Sequence, residues 1–137
     1  MTTADVLSSP LRDRKLAPAT SQLVLAEWTA PAASAGRPDY QAPLHVHHED
    51  DEAWYVLEGR LRLRIGSDEL DVPAGAAVIG LHGIPHTFWN PDPAPVRYVI
   101  VMSARTSAML DALHGGGQRS SAELRQVFAD YGCELLG

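Results

Sequence analysis

Apolar and polar residues alternate along the middle of this chain, and the alternation is strictest in "RLRLRIGSDELDV". There Leu61, Leu63 and Ile65 fall on one side of a period-two pattern, and Arg60, Arg62 and Arg64 on the other. A period of two is that of a strand with one buried face, because successive side chains point to opposite faces. "GSDE" supplies a hairpin turn and "ELDV" returns. Further strands are predicted at "QLVLAEWT" (22–29), "LHVH" (44–47), "EAWYVLE" (52–58), "AAVIGL" (76–81), "HTFWN" (86–90) and "VRYVIVMS" (96–103). "APAASAGRPDYQAP" (30–43) is rich in Pro, Gly and Ala and predicts a loop. Short strands punctuated by turn residues predict an all-β sandwich or barrel spanning residues 23–103.

The ends of the chain read differently. Residues 1–22 are polar, small and proline-punctuated, which predicts a flexible N-terminal arm. "ARTSAMLDALH" (104–114) is helix-like, and "GGG" (115–117) breaks it. "SSAELRQVFADYG" then carries a capping box, Ser120 with Glu123, and an apolar stripe of Leu124, Val127, Phe128 and Tyr131. Residues 104–137 are therefore expected to be helices packing on the barrel. "AWYVL" and "VRYVIVM" are apolar on both faces, so the outward Tyr55 and Leu57 need a cover. The C-terminal stripe and a second subunit are the expected covers, which predicts a homodimer.

Composition narrows the function classes. The chain has 137 residues, a formal charge of −6 and 45% apolar residues, which suits one globular domain. The acid balance argues against nucleic acid or an anionic membrane as partner, since both call for a basic face. The lone cysteine, Cys133, excludes an internal disulfide. No apolar stretch reaches the ~18 residues of a membrane span, and the first residues lack a secretory signal's apolar core. A cytoplasmic location is expected.

"HVHHEDDE" (45–52) gathers three histidines and four carboxylates into a short segment. It is either a polar loop with incidental histidines or half of a metal site. Strand parity puts His45 and His47 together and turns His48 to solvent. A chain that turns at "HEDD" brings Glu52 alongside, and His86 opens a later strand. Three imidazoles and a carboxylate can enclose one divalent transition metal: Fe, Ni, Cu, Zn, Co or Mn. Asp50 and Asp51 are expected to be solvated turn acids, His82 to lie at the mouth or surface, and His114 to end a helix. Trp54, Val56 and Phe88 share the ligand faces, and Tyr98, Ile100 and Met102 approach from the last strand. Trp54, Val56, Phe88, Tyr98 and Met102 are the predicted substrate pocket.

Two segments resemble the paired motifs of the cupin superfamily. "HVHHEDDEAWYVLEG" resembles the first, with His45, His47, Glu52 and Gly59 at the family's spacings. Asp39 stands where that family has a glycine, with Gly36 nearby. "GAAVIGLHGIPHTFWN" resembles the second, with Gly75, Gly83, His86 and Asn90 in place and Leu81 where the family has proline. The resemblance implies a double-stranded β-helix, or jelly-roll, barrel with the metal inside on His45, His47, Glu52 and His86. It implies tight backbone positions at Gly59 and Gly83. "EAWYVLEGRLRLRIG", "GIPHTFWNP" and the tail "FADYGCELLG" are similar to single-domain cupins of the quercetin dioxygenase type, whose tail is helical and whose motif glutamate also acts as base. Glu52 is thus the expected catalytic residue of a dioxygenase or related oxidoreductase acting on a small aromatic or enolic molecule. The same ligand set also suits a metal-assisted isomerase, lyase or cyclase, or a cupin that only binds a small ligand.

Overall fold

The computed structural model describes residues 3–34 and 38–137. Gly36 and the first two residues of the arm lie outside the described residues. After a short 3-10 turn at Thr3–Val6 come β1 (Arg14–Leu16), β2 (Leu23–Ala30), β3 (Tyr40–His47), β4 (Glu52–Glu58) and β5 (Arg60–Ile65). Next are β6 (Asp68–Pro73), β7 (Ala77–Gly80), β8 (His86–Trp89) and β9 (Val96–Ser103). Helices α1 (Ala104–Gly115) and α2 (Ser121–Asp130) follow, then β10 (Cys133–Leu135). The strands form two five-stranded antiparallel sheets, β1-β2-β9-β4-β7 and β10-β3-β8-β5-β6. Consecutive strands β3 and β4 lie in opposite sheets, so the turn between them crosses from one layer to the other.

The alternating patterns sort as expected. Leu61 and Leu63 are fully buried, and they share the core with Trp54, Val56, Val96, Tyr98, Ile100 and Met102. Each buried Leu or Val side chain contributes ~1.5–3 kcal/mol of transfer free energy. Arg60 and Arg62 lie on the other face and pair with Asp71 and Asp92. Gly59 joins β4 to β5 at φ +81°, and a Cβ there would lie 2.9 Å from Val96 Cγ2 and 3.1 Å from the Pro95 carbonyl. Both the backbone angle and the space demand glycine. Gly83, at φ +78°, has open space around it, so only the angle is demanding there.

Four segments differ from the sequence expectations. Tyr40–Pro43, expected in a loop, belongs to β3; Pro43 is accommodated because β3 and β8 shift register between Ala42 and His45. Arg14–Leu16, within the expected flexible arm, pair with β2 as an edge strand. Lys15 Nζ reaches α1, 2.6 Å from Asp111 and 2.7 Å from Ser107 Oγ. Cys133–Leu135, expected in a helical tail, form β10 against β3 after Gly132 reverses the chain at φ +74°. Finally, the helices do not cover Tyr55. They pack over the ends of β2 and β9 and over β10, and the α2 stripe meets Met109, Cys133 and Leu135. Tyr55 and Ile79 remain exposed on the outer face of the first sheet. Among the described residues, no helix is long and apolar enough to cross a membrane.

Candidate metal centre

Four side chains from three strands converge between the sheets. β3 supplies His45 and His47 on its inward face, and β8 supplies His86, which pairs directly opposite His45. β4 supplies Glu52 from the other sheet. Gly80 lies opposite Glu52, and a Cβ there would lie 3.0 Å from the Trp54 ring and 3.6 Å from His86 Nδ1. The missing side chain leaves room for the imidazole. All four residues are buried, and their ligand atoms lie within 4.8 Å of one another.

The hydrogen bonds fix which atoms point inward. His45 Nδ1 lies 2.6 Å from the Pro43 carbonyl, which can only accept, so Nδ1 carries the proton and Nε2 a lone pair. That Nε2 is 3.1 Å from His47 Nε2, which is 2.7 Å from Glu52 Oε1. Glu52 Oε2 is the less engaged oxygen, 3.8 Å from His86 Nε2. Both ring nitrogens of His86 are buried without a hydrogen-bonding partner.

The electrostatics follow from burial. Burial, aided by the His86 charge, lowers the pKa of His45 to about 4. Burial also lowers His86, against the opposing pull of Glu52. Burial opposes the charged form of His47 too, but hydrogen bonds to Cys133 and Glu52 outweigh it and raise His47 to about 10. Burial alone would raise Glu52, yet the His47 hydrogen bond and the surrounding imidazoles hold it below the ordinary carboxylate range. The set therefore offers two neutral imidazoles, a carboxylate, and one imidazole whose inward proton a cation would replace.

These residues fit a divalent transition ion. A buried polar atom with no partner costs ~1–3 kcal/mol, and His86 has two such atoms. An ion held by His45, His47, His86 and Glu52 would give one of the two His86 nitrogens its partner. Imidazole with one carboxylate suits Fe, Co, Ni, Cu, Zn or Mn.

The tail completes the surroundings, and this the sequence reading missed. β10 pairs Cys133 with His47, so both side chains share the inward face. Cys133 Sγ lies 3.1 Å and Thr106 Oγ1 3.4 Å from His47 Nδ1. Such partners orient a ligating ring. Phe128 from α2 stacks edge-on to His45, with ring centroids 5.6 Å apart. The apolar stripe on α2 was readable, but not that it would end on a ligand.

A cavity of about 720 Å³ opens from the centre toward the helices. His45 and Glu52 lie on its wall. Of the predicted pocket residues, Phe88 and Tyr98 line it, as does Ile100. Trp54, Val56 and Met102 do not; they are packed into the dry core, and Trp54 stacks edge-on to His86. Depth does not separate them, since Tyr98 pairs with Val56 and Ile100 with Trp54 in register; the cavity runs along β2, β3, β8 and β9 and meets β4 only at Glu52. His48 is exposed. Asp51 accepts from the His82 backbone and lies 2.8 Å from its ring, while Asp50 pairs with Arg105 on α1. Asn90 is structural, its amide donating to the Pro31 and Ala94 carbonyls. His114, read only as a helix end, stands on the cavity wall.

Comparison with known proteins agrees with this architecture. Residues 37–102 match the cupin domain family model. This is a cupin fold. Similar solved structures include a protein from Thermus thermophilus, at 22% identity and TM-score 0.54, covering 75% of this chain and 94% of that one. A cupin protein from Bacteroides fragilis aligns at 14% identity and TM-score 0.55, covering 77% and 79%. A sugar phosphate isomerase of the cupin superfamily from Silicibacter pomeroyi aligns at 26% identity and TM-score 0.52, covering 62% and 52%. Among curated proteins, none matches the chain.

Proposed function

We propose that this protein is a cytoplasmic, metal-dependent member of the cupin superfamily that oxidises a small aromatic or enolic molecule with dioxygen, in the manner of quercetin dioxygenase-type cupins. One observation carries the reading: two of the four candidate ligands, His45 and Glu52, form part of the wall of a largely apolar cavity. A buried structural ion needs no such access. A divalent redox metal, when bound, supplies Lewis acidity and an electron-transfer centre.

The chain's own residues do the rest. His45, His47 and His86 would hold the ion together with Glu52, and His45 and Glu52 are the two that face the cavity. Phe88 and Tyr98 present ring faces and edges that orient a planar substrate and exclude water. Glu52 is the proposed base, through Oε2, the oxygen less engaged by His47. Its low pKa suits this role once a substrate hydroxyl has been acidified.

The likeness to the Silicibacter isomerase supports a second reading, a metal-assisted isomerase without dioxygen. Reconstitution with Fe, Ni, Co, Cu, Mn and Zn in turn separates the two. Dioxygen uptake with flavonols, enediols or diketones, confined to redox-active metals, is the expected result. Turnover with zinc under argon would replace the oxygenase reading with the isomerase one. Ligand binding without turnover under any metal would leave only a binding protein.

We also propose a homodimer through the outer face of the first sheet. Leu16, Leu25, Val101, Ala53 and Ile79 lie in register across all five of its strands. The flanking charges are neutralised internally, Arg97 by Glu27 and Glu58. A neutral apolar row can face its own copy across a two-fold axis without repulsion. Light scattering should give twice the chain mass, and Ile79→Asp should halve it; a monomeric wild type would refute the dimer.

A further inference from the structure

The cavity wall is chemically divided. Buried His45 and Glu52 lie on it, and Trp28, Tyr98, Leu110 and Phe128 make up part of its apolar lining, Phe128 packing against His45. The same wall carries exposed His114 and Gln118 and the half-buried Arg119. Arg119 is the one permanently cationic side chain on this wall among the described residues.

Its guanidinium is held in place. Nη2 donates to the Ala112 carbonyl at 2.7 Å and Nη1 to the Leu113 carbonyl at 3.1 Å, at the end of α1. It lies packed against Gly116, where any Cβ would collide with it. Those bonds use two of its five N–H donors, and the negative end of α1 offsets part of the charge without a carboxylate. Among the described residues no carboxylate comes within salt-bridge distance of it. Glu123, the nearby acid, is turned to its own capping box with Ser120. The remaining N–H groups form a prepositioned planar fork, which matches a carboxylate.

We propose that Arg119 is the receptor for a carboxylate on the substrate, whose apolar body fills the cavity and whose other end meets the His45–Glu52 wall. The substrate class is thus an apolar, partly aromatic organic acid. This rests on reading the cavity as the substrate site. A chain with formal charge −6 repels acids in general, so a fixed cation at the mouth confers selection as well as affinity.

The test uses ω-phenylalkanoates of increasing chain length and their methyl esters. Their affinities are measured by calorimetry on wild type, Arg119→Gln and Arg119→Lys, each zinc-loaded and chelator-stripped. Wild type should prefer acid over ester by about tenfold, with or without zinc. Arg119→Gln should abolish the preference while still binding esters, which report an intact cavity. Arg119→Lys should keep part of it. A preference that survives Arg119→Gln, whether or not both affinities fall, overturns the proposal. A preference that disappears on removing zinc also overturns it, because the acid then sits on the metal; that outcome leaves the metal-centre reading standing. Failure of acids and esters alike to bind wild type overturns both the receptor and the cavity as substrate site.

Discussion

Strand β4 carries Glu52, Trp54 and Val56 at successive inward positions, and the three meet opposite environments. Val56 is packed away from the cavity and, like Leu61, Leu63 and Val96, fully buried. At Glu52 the barrel is equally buried, yet it holds a carboxylate, three imidazoles and two nitrogens without partners. One end of the barrel derives its stability from packing. The other forgoes packing for a set of donors that could hold an ion. Burial alone therefore says nothing about role here: Trp54 Nε1 is also buried without a partner, but it stands alone, whereas the two His86 nitrogens lie among other candidate ligand atoms.

Five changes would break or sharpen that contrast. His86→Leu should have the largest effect, lowering bound metal to under about a tenth of wild type, as read by elemental analysis after reconstitution. Because it also removes two partnerless nitrogens, it should raise the unfolding free energy of the stripped protein by ~1 kcal/mol in urea. A stripped variant less stable than wild type would show the site end to be packed for its own sake. Trp54→Ala, one position deeper, should act in the opposite direction and cost ~3–5 kcal/mol with or without metal. Gly59→Ala comes next, at about 2–4 kcal/mol, since it adds left-handed strain to a collision with Val96. Gly83→Ala, with the same strain and no collision, should cost less, and equal midpoints for the two would undo the distinction. Cys133→Ala should be mildest, leaving the fold intact and weakening metal binding about tenfold by freeing His47 Nδ1. Unchanged affinity in a competition titration would remove Cys133 from the centre.

Periodicity in the sequence disclosed a β-sandwich or barrel and put His45 and His47 together, while the jelly-roll and the full ligand set with Glu52 and His86 came from the resemblance to the cupin motifs. Strict alternation, as at Leu61 and Leu63, arises only where one sheet face is buried, and ligand spacing in a strand is fixed by parity. The tail was less legible. Cys133–Leu135 is too short for a period to show, and its pairing with β3 is a tertiary event that no local pattern encodes. The pocket was half legible for a related reason. Parity placed Trp54 and Phe88 both inward, but the cavity borders β8 and not the Trp54 stretch of β4, which no local pattern encodes. Arg119, in a glycine-rich connection between the helices, carried no local signal at all.

Strand β1 has a bearing on how the protein behaves in concentrated solution. It is only three residues long, carries Arg14 and Lys15, and covers part of the edge of the eight-residue β2. Brevity and charge are what keep a sheet from growing by recruiting further chains. Proteolytic trimming through Leu16 would uncover that edge beside exposed Leu23 and Leu25 and cut the Lys15 tie to α1. The trimmed protein should then tend to form β-rich aggregates even with every candidate ligand still in the chain.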